Sequence, residues 1–78
     1  MDTVTVYLKT ALFSVSALEA RLPSGTTIIK GHLKERHGPS VLISCHQYYN
    51  DRGQEIGNQS TQLEIPWSKI DHIQWESA

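Results

Sequence analysis

The chain is poor in several residue types, and each shortage excludes a class of protein. It has one cysteine, Cys45, among 78 residues, so a disulfide-stabilised scaffold is excluded and a reducing compartment is the simpler expectation. Seven basic residues against eight acidic ones give a net charge of −1, which excludes a polybasic or an acidic tail. No apolar run approaches the ~20 residues of a membrane-spanning helix. We therefore expect a soluble cytoplasmic protein with no membrane partner.

The polar residues do not form a recognisable catalytic or metal-binding pattern. His32, His37, His46 and His72 are spread along the chain, and no Cys, Asp or Glu completes a ligand set at a known spacing. No nucleophile, base and orienting acid occur at a recognisable spacing either. Cys45 lies in an apolar stretch, where a buried structural thiol is the expected role. The expectation is no metal, no cofactor and no enzymatic activity.

Alternating apolar and polar residues predict strands over most of the chain. The period of two is present at residues 18–22 and continues from Thr26 to Lys34. The longest strand signal covers residues 41–49 and is expected to bend midway, and shorter signals cover 62–66 and 70–75. Gly31 lies inside a strand, where glycine marks a bend or a close backbone approach. Turns are predicted at 23–25, 37–40, 50–53 and 67–69, with a flexible loop at 54–60.

Residues 2–16 fit two interpretations. Val4, Leu8 and Val15 form a helical stripe, and Asp2 is a plausible N-cap, whereas residues 3–7 alternate as a strand would. We favour a short amphipathic helix. Five strands without a crossover helix then predict an all-β fold, a small and strongly bent five-stranded antiparallel barrel with a short N-terminal helix. Residues 1–78 form one domain, with its core at about residues 17–76.

Two segments resemble the motifs of the Sm-like family, which includes the Sm and LSm proteins and bacterial Hfq. Leu22, Gly25, Gly31 and Leu33 resemble the first motif, and residues 65–70 resemble the second. The resemblance covers roughly residues 18–75 and implies an SH3-like barrel. Pro66 and Trp67 stand where the family has Arg and Gly. Val41 stands where the family has an Asn that reads the base.

The resemblance implies a cyclic homo-oligomer of five to seven copies that binds single-stranded RNA. Strand four of one copy would pair with strand five of the next. The expected interface residues are Leu63, Ile65, Ile70 and Ile73. The expected RNA-binding residues lie on or beside two turns and are Arg36, His37, Trp67 and Lys69.

Two alternatives remain open from the sequence. Trp67 fits a base-stacking platform and a packing residue equally well, and Tyr48 and Tyr49 fit base stacking or the anchoring of a loop while facing opposite ways. At the level of function, the alternative is a structural or protein-interaction ring without nucleic acid. The near-neutral charge and Val41 favour that alternative.

Overall fold

The computed structural model describes residues 3–12 and 23–76, and it contains six strands there. The long strands are β1 (Thr3–Leu12), β2 (Thr26–His37) and β3 (Ser40–Tyr49). The short strands are β4 (Glu55–Gly57), β5 (Thr61–Pro66) and β6 (Ile70–Glu76). A single 3₁₀ turn, Trp67–Lys69, connects β5 to β6. The all-β class expected from the alternating pattern is confirmed.

All strand pairs are antiparallel, and they follow the order β4-β3-β2-β1-β6. Strand β5 lies off this path and also pairs with β3. The first half of β3 pairs with β5 and its last two residues pair with β4, so β3 changes partners midway. Within the described residues β5 and β6 do not pair with each other, although only the 3₁₀ turn separates them. In the described part of the chain the sheet has six strands rather than five and is not closed by hydrogen bonds.

One face of the sheet forms the core. Val4, Val6 and Leu8 of β1 alternate with polar residues and are buried, as the period of a strand requires. Ile29 of β2 pairs with Val6 on one side and with Tyr48 on the other. The remaining buried apolar side chains come from three strands, namely Val41, Ile43, Cys45, Ile65 and Ile70.

The helix predicted within residues 2–16 is wrong, because Thr3–Leu12 forms strand β1. Val4 and Val6 are β-branched, which lowers the helix propensity of the segment. In the extended conformation both side chains are buried between β2 and β6. Asp2 and the strand expected at residues 18–22 lie outside the described residues. The loop expected at 54–60 contains the three-residue strand β4.

Two β-bulges bend the β2–β3 pair, in agreement with the bend expected in the longest strand. Lys30 pairs with Gln47 and Gly31 with Cys45, which leaves His46 as an extra residue of β3. Leu33 pairs with Ile43 and Glu35 pairs with Leu42, so one residue of β2 is also extra.

Gly31 allows β2 and β3 to approach closely beside the first bulge. A Cβ atom at this position would overlap the carbonyl oxygen of Ser44 and lie 2.9 Å from the carbonyl carbon of Ser44. Both atoms belong to the backbone of β3, so no side-chain rotation relieves the overlap. The close approach expected from a glycine inside a strand is therefore present.

The first prediction concerns this contact. Replacing Gly31 by Ala should lower the free energy of unfolding by about 3 kcal/mol, because the strands must separate to admit a methyl group. Urea unfolding followed by circular dichroism measures the change. Lys34→Ala, at an exposed position of the same strand, serves as the control and should change stability by less than about 0.5 kcal/mol. Equal effects of the two substitutions would contradict the close approach.

Candidate functional site

The two turns expected to bind RNA contact each other. The indole nitrogen Nε1 of Trp67 donates a hydrogen bond to the carbonyl oxygen of Gly38 at 2.9 Å. The backbone amide of Trp67 donates to the carbonyl oxygen of Pro39 at 3.0 Å. We call the surface formed by residues 37–40 and 66–69 the two-turn surface. Trp67 is partly buried and packs against the core, so its indole holds the two turns together.

His37 lies between two carboxylates on this surface. Its Nε2 atom is 3.0 Å from a carboxylate oxygen of Glu35, and its Nδ1 atom is 3.1 Å from a carboxylate oxygen of Glu64. The hydroxyl of Ser40 donates to the same Glu64 oxygen at 2.5 Å. Both ring nitrogens can donate only when the imidazole is protonated, so the arrangement favours the imidazolium. A phosphate at His37 would have to approach two negative charges.

These contacts shift the pKa values of His37 and Glu64 in opposite directions. Hydrogen bonds to Glu35 and then to Glu64 raise the pKa of His37 above its ordinary value of 6.5. Hydrogen bonds from Ser40 and then from His37 lower the pKa of Glu64 below its ordinary 4.5. The contribution of His37 to stability is complete below pH 6.5, and that of Glu64 is complete above pH 4.5. The ion pair therefore contributes most between these two pH values.

Of the other two residues of the predicted RNA site, Arg36 projects away from His37 and Lys69 lies on the two-turn surface. Arg36 pairs with Val41, so its side chain projects on the core side of β2, opposite to that of His37. There its guanidinium carbon is 6.0 Å from the centre of the Trp75 ring. Trp75 is 47% exposed although it is a large apolar residue. Lys69 is exposed at the end of the 3₁₀ turn. The structure thus brings His37 and the Trp67 turn together but separates Arg36 from them.

The residues expected at a subunit interface divide into two groups. Ile65 and Ile70 are buried in the core of the chain itself, with exposed fractions of 2% and 7%. Leu63 and Ile73 are only partly buried at the margin of that core. In the part of the chain that the structure describes, β5 pairs only with β3 and β6 pairs only with β1. Each of these two strands therefore has one unpaired backbone edge.

A row of rings on the outer face of the sheet was not predicted from the sequence. His72 pairs with Tyr7, Tyr7 with Ile28, and Ile28 with Tyr49. Cross-strand partners project on the same face, so these four residues cross four strands as one row, which we call the outer row. The rings of Tyr7 and His72 stack at 4.3 Å between centroids, with 12° between their planes. Once residues 3–7 are read as a strand, their alternation places Tyr7 on this face.

A second row of polar residues lies beside the outer row. Gln74 pairs with Thr5, Thr5 with Lys30, and Lys30 with Gln47. The ammonium of Lys30 lies 5.4 Å from the centre of the Tyr49 ring. The hydroxyl of Tyr7 donates to the side-chain oxygen of Gln74 at 3.1 Å. The outer face thus combines rings, a cation and hydrogen-bonding side chains.

The thiol of Cys45 has a structural environment. It is fully buried, and burial raises its pKa to about 12, so the reactive thiolate is suppressed. Among the residues that the structure covers, no three or more His, Cys, Asp or Glu side chains lie together as metal ligands. None of the helical segments described there has the length and apolar character needed to cross a membrane.

Comparison of the chain with protein-family models, with curated proteins and with solved structures finds no match.

The second prediction tests the ion pair of His37. Replacing Glu64 by Gln should return the pKa of His37 toward 6.5, because one of its two carboxylate partners becomes neutral. Thermal unfolding should also depend less on pH above 6.5, where the wild-type chain loses the contribution of the protonated His37. Proton NMR titration of the imidazole measures the pKa. Glu55→Gln changes a carboxylate that does not contact His37 and should leave the titration unchanged. An unchanged titration in Glu64→Gln would exclude the ion pair.

The third prediction tests the role of Trp67. Trp67→Phe retains a ring against the core but removes the donor to Gly38, so stability should fall by about 1 kcal/mol. Trp75→Phe is the matched control, since no hydrogen bond of the Trp75 indole is seen within residues 3–12 and 23–76. Chemical denaturation of both variants gives the comparison. A larger loss in Trp75→Phe than in Trp67→Phe would contradict this assignment.

Proposed function

We propose that this protein is a non-enzymatic, Sm-like β module that assembles with copies of itself through the edges of β5 and β6. The proposal rests on one observation, which is that among residues 3–12 and 23–76 these two strands each have an unpaired edge and do not pair with each other. Unpaired donors and acceptors at a sheet edge favour pairing with a further strand. A β5 edge on one copy and a β6 edge on the next form a head-to-tail contact that can close into a ring.

The side chains beside the two edges support this assembly. Leu63 on β5 and Ile73 on β6 are partly buried, and Trp75 exposes nearly half of its surface on the core side of β6. Pairing between copies would cover these apolar groups and enlarge a core that is small in a chain of this length. Pro66 ends β5 and lacks an amide donor, which limits the length of the pairing. The number of copies, five to seven, rests on the family resemblance alone.

RNA binding at the two-turn surface is the second candidate function, because the contact between Trp67 and Gly38 joins the two turns and Lys69 is exposed beside them. Glu35 and Glu64 weigh against it, since their carboxylates surround His37. The geometry therefore favours the assembly function over an RNA site at these turns. The absence of catalysis and the cytoplasmic location remain predictions from the sequence.

The fourth prediction tests the assembly. Native mass spectrometry of the full chain should give one multiple of the 8.8 kDa subunit mass. Ile73→Lys places a charge on the core side of the β6 edge and should give the 8.8 kDa monomer, because inward charges prevent edge pairing. Ile56→Lys, at a partly buried position of β4, is the matched control and should keep the assembled mass. Circular dichroism verifies that both variants fold.

Two results would contradict the assembly. One is an unmodified chain that remains a monomer at all working concentrations. The other is an assembled mass that persists in a folded Ile73→Lys variant.

A further inference from the structure

The outer face of the sheet carries a group of side chains that the proposed assembly does not use. We propose that this face is a binding site for single-stranded nucleic acid, centred on Tyr7, Lys30 and Tyr49. Bases would stack on the two tyrosine rings, and the ammonium of Lys30 would contact a phosphate between them. The proposal is independent of the ring, since all three residues belong to one chain.

The spacing of the rings supports this arrangement. Tyr7 and Tyr49 both pair with Ile28, on opposite sides of β2. Two strand spacings separate them, so the rings lie roughly 10 Å apart. Lys30 follows Ile28 by two residues on the same face and stands in the adjoining row. Two tyrosine rings and a lysine whose ammonium lies over the Tyr49 ring are the kinds of side chain, aromatic platforms and basic groove residues, that bind single strands.

The exposure of these side chains leaves part of each accessible. Tyr7, Lys30 and Tyr49 are partly exposed, and His72 is exposed at the end of the row. His72 stacks on one face of Tyr7, which fixes the orientation of the tyrosine ring. The Lys30 ammonium over Tyr49 similarly places a cation beside the second ring. A platform held in this way loses little rotamer freedom when a base stacks on it.

The charge distribution favours a polyanion over a protein partner. Across β1, β2 and β3 the three central rows contain no carboxylate and only one aliphatic residue, Ile28, whereas a protein-docking core is usually more apolar. Their other members offer hydroxyl, amide, imidazole and ammonium groups. The nine residues of these rows are Tyr7, Ile28, Tyr49, Thr5, Lys30, Gln47, Thr3, His32 and Ser44. Two of these rows continue to a carboxylate on an outer strand, Glu76 of β6 beside Thr3 and Glu55 of β4 beside Tyr49.

The carboxylates of this face lie at its margins and already have partners. Glu76 accepts a hydrogen bond from Thr5 at 3.2 Å, and Glu55 accepts one from Gln47 at 3.1 Å. At the far end of the outer row, Asp71 lies 2.7 Å from a ring nitrogen of His72. The two-turn surface differs in that its carboxylates lie at its centre, around His37.

The test is fluorescence anisotropy with labelled ten-nucleotide oligouridylate and oligoadenylate at low salt, using the full chain. Tyr49→Ala should weaken binding about tenfold, within the range that one stacked base contributes, whereas Tyr49→Phe should retain affinity. Lys30→Gln should weaken binding. It should also reduce the slope of log affinity against log salt concentration by about one, because one phosphate contact is lost. Lys34→Gln removes the same charge from an exposed position of β2 outside the site and should leave affinity unchanged, and Lys69→Gln tests the two-turn surface separately. Circular dichroism confirms the fold of each variant.

Three outcomes would overturn the proposal. The first is no binding of either RNA at low salt, and the second is binding that Tyr49→Ala and Lys30→Gln leave unchanged. The third is a loss in Lys69→Gln that Lys30→Gln does not show, which would assign binding to the two-turn surface. Oligodeoxyribonucleotides of the same length show whether the site prefers RNA or DNA. Tighter binding of RNA would indicate contacts to the 2′-hydroxyl groups.

Discussion

The pairing of β3 determines the rest of the structure. This strand joins β2 along one edge, and its other edge is divided between β5 and β4. The bulge at His46 and the close approach at Gly31 bend the pair, so residues on either side of the bend reach different partners. Because β3 already holds β5, and β1 holds β6, the two strands joined by the 3₁₀ turn end on separate parts of the sheet. The unpaired edges of β5 and β6 follow from this division.

Much of the sheet could be predicted because burial enforces a period of two. The alternation at Ile29, Gly31 and Leu33 predicted β2, and the apolar residues of 41–49 predicted β3. The segment 2–16 could not be assigned in the same way. Val4 and Leu8 fit a helical stripe as well as an alternating strand, and only pairing with β2 and β6 decides between them. Long-range pairing of this kind has no local signal.

The two-turn surface and the outer row also depend on long-range contacts that have no local signal in the sequence. The sequence correctly placed both turns, but it could not show that Trp67 donates to Gly38 or that Glu35 and Glu64 surround His37. Glu64 is 27 residues from His37 along the chain. The outer row was missed because assigning Tyr7 to a helix removed it from the face that it shares with Ile28. Tyr48 and Tyr49 do face opposite ways, and only Tyr48 enters the core.

The proposed assembly requires that β5 and β6 pair between chains and not within one chain. Nuclear Overhauser contacts in a sample that mixes isotope-labelled and unlabelled copies test it most directly. In that sample we predict cross-strand backbone contacts of β5 with β3 and of β6 with β1 within a chain, and cross-strand β5–β6 contacts only between differently labelled chains. Contacts between β5 and β6 within one chain would contradict the account, because they would close the sheet and remove both edges.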